Sequence, residues 1–381
     1  MAWNYRKRIK ILPGFYVNLS KSGMSATVGM RGLSLNISNN GAYINTGIPG
    51  TGLYNRQRLD TASNQDGRGE PAIPATIHDS GEFEIKSIGP EKLTSESMFG
   101  IKESILESMQ EKESLYQEYL ASKSTRNVAL AKMILGYLFI FGLFNKRFAE
   151  AYRTSNADMA EVKATHEAYK FNIEFGLDGE LGEAYEEMES AFSRMSSAAA
   201  IWDLLTEKAV DRVKERSSAS LSITRTRIRF DSRSLEYIGS DRVPMRMKNA
   251  NGADIYFYPA FIVMHSDKKN EFAVLGYSEI ELHHHKTRFV ETESIPSDSE
   301  IIDKTWRYVN KNGSPDRRYK DNPTIPIVQY YEFELRTSTG LHERYMLSNV
   351  ESGVGFGAAF EKYRNALAKL SWNMESQSTG S

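Results

Sequence analysis

A cluster of histidines and glutamates in the C-terminal half has side chains that can bind metal. His283, His284 and His285 follow Glu279 and Glu281 within seven positions. Alternate side chains of a β-strand share a face, so some of these groups would stand side by side. A structural metal site, however, needs three or four converging ligands. We therefore expect an exposed polar strand, with no bound metal and no other cofactor.

Anion binding is the second chemistry that the residue types allow. Arg225, Arg227 and Arg229 alternate along a predicted strand, share one face and could contact phosphates. Pairing with acidic helices of the same chain is the favoured alternative. Two loops add candidates for lipid or anion binding, although acids interleave the second loop and favour self-pairing there. These cations are Lys268 and Lys269 in a predicted hairpin turn, and Arg317, Arg318 and Lys320 in residues 316–321.

The sequence lacks the residues of common catalytic sites. It has no cysteine, and no serine lies in a Gly-x-Ser-x-Gly turn with suitable partners. Gly353, Gly355 and Gly357 fall inside a predicted helix, where we expect them to allow close packing rather than phosphate binding. We therefore predict no catalytic residues, no small-molecule substrate and no enzyme activity.

Residues 133–144 form an unbroken apolar run of twelve. As a helix this run spans about 18 Å, which is short of the ~30 Å hydrocarbon core of a bilayer. Three interpretations stay open: a core helix covered by the N-terminal region, which is favoured, a membrane-inserting or surface-lying segment, and an oligomer interface. Exposure to solvent is excluded. The candidate contact residues are Lys132, Leu138, Phe139, Phe141, Phe144, Lys146 and Arg147.

Charge is distributed unevenly along the chain. Residues 1–59 contain eight lysines or arginines and no acid, whereas residues 60–90 contain six acids and two bases. Docking of the basic segment on acidic helices is the favoured explanation. An anionic partner, either a membrane or a nucleic acid, is the alternative.

Glycine recurs every nine residues near the N-terminus, from Gly14 to Gly50. Pairs such as Asn40-Gly41 are typical of two-residue hairpin turns, and the seven residues between pairs alternate apolar and polar. The period predicts a small antiparallel β meander with one apolar face. Because such a sheet cannot bury that face alone, we expect it to dock against another surface.

The remaining chain divides into three parts. Residues 57–90 are rich in Gly, Pro, Ser and Asp and predict a linker. From residue 95, apolar residues recur at helical spacing in three tracts, the last being residues 180–216. From residue 221 the period falls to two, and a capping box at Ser348 to Glu351 begins a final helix.

Two segments resemble known bacterial families. The runs RIKILPGFYVNLSKSG and NTGIPGTGLYNR, within residues 3–56, resemble domain of unknown function 4236, which implies a bacterial origin and a small β domain without assigned activity. The run TWRYVNKNGSPDRRYKDNPTIPIVQYYEFELRT, with its strand-then-helix ending, resembles a pleckstrin-homology-like (PH-like) domain. That resemblance implies recognition of lipids, peptides or protein surfaces.

Together these observations predict an α+β protein of several domains. The boundaries are a basic β meander at 1–56, a linker at 57–90, a helical domain at 91–216 with its apolar helix at 128–144, a PH-like domain at 217–371 and a disordered tail at 372–381. We expect a cytoplasmic, non-enzymatic interaction protein, a sensor or adaptor with a possible place in antiphage defence. It would bind a protein, which could be a second copy of itself. The alternatives are peripheral binding to anionic lipid at the inner membrane through residues 133–144, and nucleic-acid binding through the basic N-terminal domain.

Overall fold

The computed structural model describes residues 82–139, 145–168, 171–175, 177, 179–266 and 271–378, together with the backbone of six strands before residue 59. The fold is α+β, with a helical middle and a β-rich C-terminal region, as predicted. By their contacts the residues divide into two units. Unit 1 comprises residues 1–33, 100–175 and 234–241, and unit 2 comprises the rest. Both units are discontinuous in sequence, so they do not test the predicted domain boundaries.

Backbone pairing joins the N-terminal strands within two sheets. The first three strands pair antiparallel in order, and so do the last three. The side chains of these strands lie outside the described residues, as do residues 59–81 of the predicted linker. The apolar face and the single meander therefore stay predictions. The strands are β1 Arg6–Leu12, β2 Phe15–Ser20, β3 Gly23–Val28, β4 Leu35–Ser38, β5 Gly41–Gly47 and β6 Tyr54–Arg58.

Three helices make up the helical middle. After the short strand β7 (Glu82–Glu84) come α1 (Phe99–Phe139) and α2 (Asn145–Ala168). The strand β8 (Phe171–Glu174), which pairs parallel with β3, precedes α3 (Gly179–Ser196).

The third predicted helical tract is too long. Residues 201–209 form a strand, β9 (Ile201–Ala209), rather than the end of a helix. A strand forms here instead of a helix because its residues pair with neighbouring strands at both edges and bury side chains on both faces. Trp202 and Leu204 enter one apolar cluster, and Ile201 enters another. Burial of this kind outweighs the weak local preference of the segment for helix.

The C-terminal region contains two antiparallel sheets and one helix. The larger sheet has the order β10-β9-β20-β19-β17, with β18 paired to β19 and β7 to β9; the smaller has the order β11-β13-β14-β15-β16, and β12 pairs with β8 in unit 1. The elements are β10 Leu221–Ile228, β11 Asp231–Ser232, β12 Ile238–Ser240, β13 Met245–Met247, β14 Asp254–Phe257, β15 Ile262–Ser266, β16 Glu271–Leu275, β17 Glu281–Val290, β18 Glu300–Trp306, β19 Thr324–Arg336, β20 His342–Leu347 and α4 Val350–Ser378.

Aromatic side chains join α3 and α4 to the sheets of unit 2. The rings of Phe192 and Phe356 meet edge to face at 5.9 Å, and those of Phe257 and Phe360 at 6.2 Å. Edge-to-face geometry stabilises such pairs beyond the burial of their area. This core lies on one face of the large sheet. A smaller cluster around Trp202, Leu204 and Tyr330 covers part of the opposite face.

Helix α4 begins one residue later than the predicted capping box. The Asn349 side chain accepts a hydrogen bond from the Ser352 N–H at 2.9 Å, so Asn349 is the cap. The Ser348 hydroxyl instead bonds to the backbone of Ala200, the residue before β9. The predicted packing role of the glycines holds for two of the three. A side chain at Gly353 or Gly357 would collide with Tyr331, whereas one at Gly355 would meet nothing within 4 Å.

We expect Gly353→Ala to destabilise the protein, because the added methyl group would overlap the fully buried ring of Tyr331. Overpacking of this kind costs about 1–3 kcal/mol. Gly355→Ala is the matched control and should stabilise the helix by up to about 1 kcal/mol. Urea denaturation of both variants measures the difference, and equal stabilities would contradict the close approach of α4 to β19.

Candidate functional site

Helices α1 and α2 of unit 1 form an antiparallel hairpin. The rings of Tyr116 and His166 lie 5.4 Å apart, and further along Arg126 donates to the hydroxyl of Tyr152 at 3.4 Å. Closest to the connection, Gly136 lies against the ring of Phe148, where a Cβ atom would fall 2.9 Å from Cδ2. The paired positions converge toward the end of α1 and the start of α2, which is the closed end of the hairpin.

Four exposed apolar side chains lie together at that end of α1. They recur at spacings of three and four, so they share the face of the helix opposite Gly136. We call this set the hairpin tip. It consists of Ile134 (47% exposed), Leu135 (52%), Tyr137 (64%) and Leu138 (71%). The favoured prediction of a buried core helix is therefore wrong for these residues, as is the exclusion of solvent exposure.

Cations flank the hairpin tip on both helices. Lys132 is exposed two residues before it on α1, and Lys146 and Arg147 are exposed in the first turn of α2. Of the other predicted contact residues, Leu138 belongs to the tip. The side chain of Phe139 and all of Phe141 and Phe144 lie outside the described residues.

Among the helices that the structure describes, none is both long enough and apolar enough to cross a bilayer.

The structure describes the predicted loop cations only in part. Lys268 and Lys269 lie outside the described residues, in the connection between β15 and β16. The loop at 316–321 is self-paired, as the alternative interpretation predicted. The buried Asp316 accepts hydrogen bonds from Arg318 at 2.7 Å and from Arg216 at 2.9 Å. Arg317 and Lys320 are exposed.

The histidine run forms part of an edge strand. His283, His284 and His285 are exposed on β17, and His283 lies 3.5 Å from Glu281. Within the described residues, no group of three or more His, Cys, Asp or Glu side chains could hold a metal ion.

The three arginines at positions 225, 227 and 229 differ in burial. Arg225 is buried between aromatic rings, with its guanidinium carbon 4.2 Å from the centroid of Trp202 and 4.4 Å from that of Phe289. It donates to Glu291 at 2.8 Å. The acidic partner is therefore the segment after β17, and the prediction that acidic helices would pair with Arg225 is wrong. Arg227 is exposed on β10, and Arg229 is exposed one residue beyond the end of that strand.

Glu291 keeps its charge despite its burial. Burial by itself would raise the pKa of its carboxyl. Hydrogen bonds from Tyr330 and Arg225, with the positive charge of Arg225, outweigh burial and hold the pKa below its ordinary value. The Tyr330 hydroxyl donates to this carboxylate at 2.6 Å. Cation, carboxylate and rings therefore form one buried network, whose role is structural.

Two other buried acids of unit 2, Asp203 and Glu343, have no cation beside them among the described residues. Asp203 on β9 accepts the Ala250 N–H at 2.7 Å, and Glu343 on β20 accepts the Ser87 hydroxyl at 2.5 Å. Burial raises the pKa of Asp203 to about 7. Burial, and then the charge of Asp203, raise the pKa of Glu343 to about 8. The hydroxyl of Tyr345, fully buried beside them, has no hydrogen-bond partner among the described residues. Sequence patterns did not reveal this cluster, because the two acids lie 140 positions apart.

The acid pair makes stability depend on pH. In the unfolded chain both carboxyls have ordinary pKa values near 4. The folded protein therefore holds more protons between about pH 4 and pH 8, and its stability falls as pH rises through this range. We expect Glu343→Gln, which keeps an acceptor for Ser87, to flatten that fall by on the order of 2 kcal/mol between pH 5 and pH 8.

Denaturation of wild type and Glu343→Gln at several pH values measures this effect. Glu300→Gln, at an exposed position on β18, is the control and should keep the wild-type slope. Parallel profiles for wild type and Glu343→Gln would show that Glu343 ionises normally.

Comparison with known proteins gives one match. Residues 3–56 match the model of a family described as a protein of unknown function (DUF4236). The match covers 54 of the 381 residues and confirms the resemblance of the N-terminal segment. No curated protein and no solved structure matches the chain.

Proposed function

We propose that this protein is a non-enzymatic interaction protein that binds the surface of anionic membranes through the hairpin tip. The observation that carries the proposal is the exposed apolar face of Ile134, Leu135, Tyr137 and Leu138 with cations on both sides. Monomeric proteins rarely expose such a contiguous patch without a partner.

Dimensions support a shallow contact with the bilayer. Residues 133–139 of α1 extend over about 10 Å of helix. Amphipathic segments that lie in the membrane interface bury their apolar side chains by about 5–10 Å. The tip is thus long enough to reach the acyl boundary without crossing it. Tyr137 adds an aromatic ring with a polar end, a type enriched at membrane interfaces.

Charge supports an anionic surface rather than a neutral one. Lys132, Lys146 and Arg147 are exposed beside the tip. Basic residues close to a bilayer that contains anionic lipid contribute about 1 kcal/mol each. Three such residues together with four apolar side chains would give reversible binding, consistent with a cytoplasmic protein that visits the inner membrane.

The C-terminal region would supply a second recognition surface. We propose a PH-like domain over about residues 217–371, in line with the resemblance noted above. Two antiparallel sheets followed by α4 support this assignment, with the larger sheet extended by β7 and β9, which precede residue 217. Fold alone does not specify a ligand. A sensor or adaptor role, including one in antiphage defence, stays a hypothesis. Nucleic-acid binding by the basic N-terminal segment stays a second one.

Flotation with liposomes tests the membrane proposal. We expect the wild type to float with vesicles of phosphatidylcholine and phosphatidylglycerol, and much less with phosphatidylcholine alone. Leu135→Glu/Leu138→Glu should abolish flotation, since it places two charges in the apolar contact. Lys146→Glu/Arg147→Glu should weaken flotation with anionic vesicles by about tenfold or more.

Val213→Glu/Val243→Glu is the matched control, because it adds two acids at exposed apolar positions of unit 2 (61% and 50% exposed). This variant should float like the wild type. If folded wild type does not float, the proposal fails. Light scattering of wild type and the tip variant would then show whether the tip joins two copies of this chain.

A further inference from the structure

We propose that a cleft in unit 2, between the end of α3 and strand β10, binds a small phosphate-bearing molecule. The cleft has a volume of about 760 Å³, within the usual range of ligand sites. Three short segments line it, contributed by residues 196–201, 226–229 and 248–250. This site is independent of the hairpin tip, which belongs to unit 1.

The charge of the lining carries the inference. Its three ionisable residues are all cations, Arg227, Arg229 and Lys248, and no acid lines the cleft. Arg227 donates to the carbonyl of Ala199, which fixes one guanidinium nitrogen at the wall. Arg229 and Lys248 are exposed and form no ion pair within the described part of the chain. Two unneutralised cations and a fixed arginine match a dianion such as a phosphomonoester better than a single carboxylate.

Two carboxyls are linked to the cleft through hydrogen bonds from its backbone. The Ala199 N–H donates to Asp298 at 2.8 Å. Ala250 lines the cleft and donates its N–H to Asp203. Burial raises the pKa of Asp203 to about 7, so this acid is only partly charged at neutral pH. The three cations of the lining therefore outnumber the two acids that are linked to its backbone.

The uncharged residues of the lining indicate which organic group bears the phosphate. Its walls are small and aliphatic, with Ala198, Ala199 and Ala200 on one side and Ile201 and Ile228 beside them, and Thr226 adds a hydroxyl. The volume exceeds that of phosphate alone, so the ligand has an organic body. No aromatic ring lines the cleft, so the cleft has no ring on which a nucleobase could stack. The chemistry fits a sugar or polyol phosphate, either free or as the headgroup of a lipid.

Isothermal titration with glucose 6-phosphate, inositol trisphosphate and unphosphorylated glucose tests the proposal. We expect saturable binding of at least one phosphate and none of glucose. Arg229→Gln/Lys248→Gln should weaken that binding by about tenfold or more, because it removes two charged donors. Lys286→Gln/Lys304→Gln, with the same loss of charge at exposed positions on β17 and β18, should bind like the wild type.

A parallel experiment with vesicles distinguishes a lipid headgroup from a free metabolite as the source of the phosphate. Vesicles containing phosphatidylinositol phosphate are offered to the tip variant Leu135→Glu/Leu138→Glu, so that contact through the tip does not contribute. Binding of these vesicles that depends on Arg229 and Lys248 indicates a lipid headgroup, whereas binding of the soluble probes alone indicates a free metabolite. Either outcome supports the cleft whether or not the wild type floats through its tip.

Three results would overturn the proposal. One is the absence of saturable binding of every phosphate probe by folded wild type. Another is equal binding by the cleft variant and the wild type. The third is binding of a glutamate-rich peptide in place of any phosphate. Circular dichroism confirms folding, and Lys248→Gln alone serves if the double variant is unfolded. Bound phosphate should also raise the melting temperature of wild type but not of the cleft variant.

Discussion

Burial of β9 on both faces is the constraint on which the rest of unit 2 depends. Outward, Trp202 and Leu204 enter the small cluster that Arg225 and Phe289 close. Inward, Ile201 joins the main core, and Asp203 on the same face is fully buried. A strand of this kind needs a paired strand at each edge and a packed layer on each face. β10 pairs at one edge, and β20 and the segment from β7 to Ile85 pair at the other. The cleft then follows at the start of the strand, where α3 ends and the chain turns.

The two buried ionic groups illustrate different solutions to one problem. Removing a charge from water is costly unless a partner or a proton compensates it. Glu291 has a partner, because Arg225 reaches it through a layer of rings that also excludes water. Asp203 and Glu343 have no cation and instead retain protons. The first arrangement stays ionised over the physiological range, whereas the second changes its charge within that range. The difference arises from one arginine on β10, whose side chain points away from the acid pair.

Sequence patterns predicted the elements better than their contacts. Alternation of apolar and polar residues correctly indicated β10, β19 and β20, and the glycines of α4 were correctly expected to allow packing. Helical composition misled at residues 201–209, since tertiary pairing outweighs local preference. The apolar run at 133–144 suggested burial, but a run of apolar residues does not specify what covers it. The acid pair and the cleft join positions that are far apart in sequence, so no local motif could reveal them.

The outer strands of the large sheet have a further consequence. An edge strand presents unpaired N–H and C=O groups and invites pairing with another chain. Here the strand order ends at β10 and at β17. The first carries Arg227 and a bulge after Thr224, and the second carries three histidines followed by Lys286 and Arg288. Charge repulsion and a broken register therefore discourage two sheets from joining edge to edge. The exposed polar residues of β17 therefore belong to a protected sheet edge.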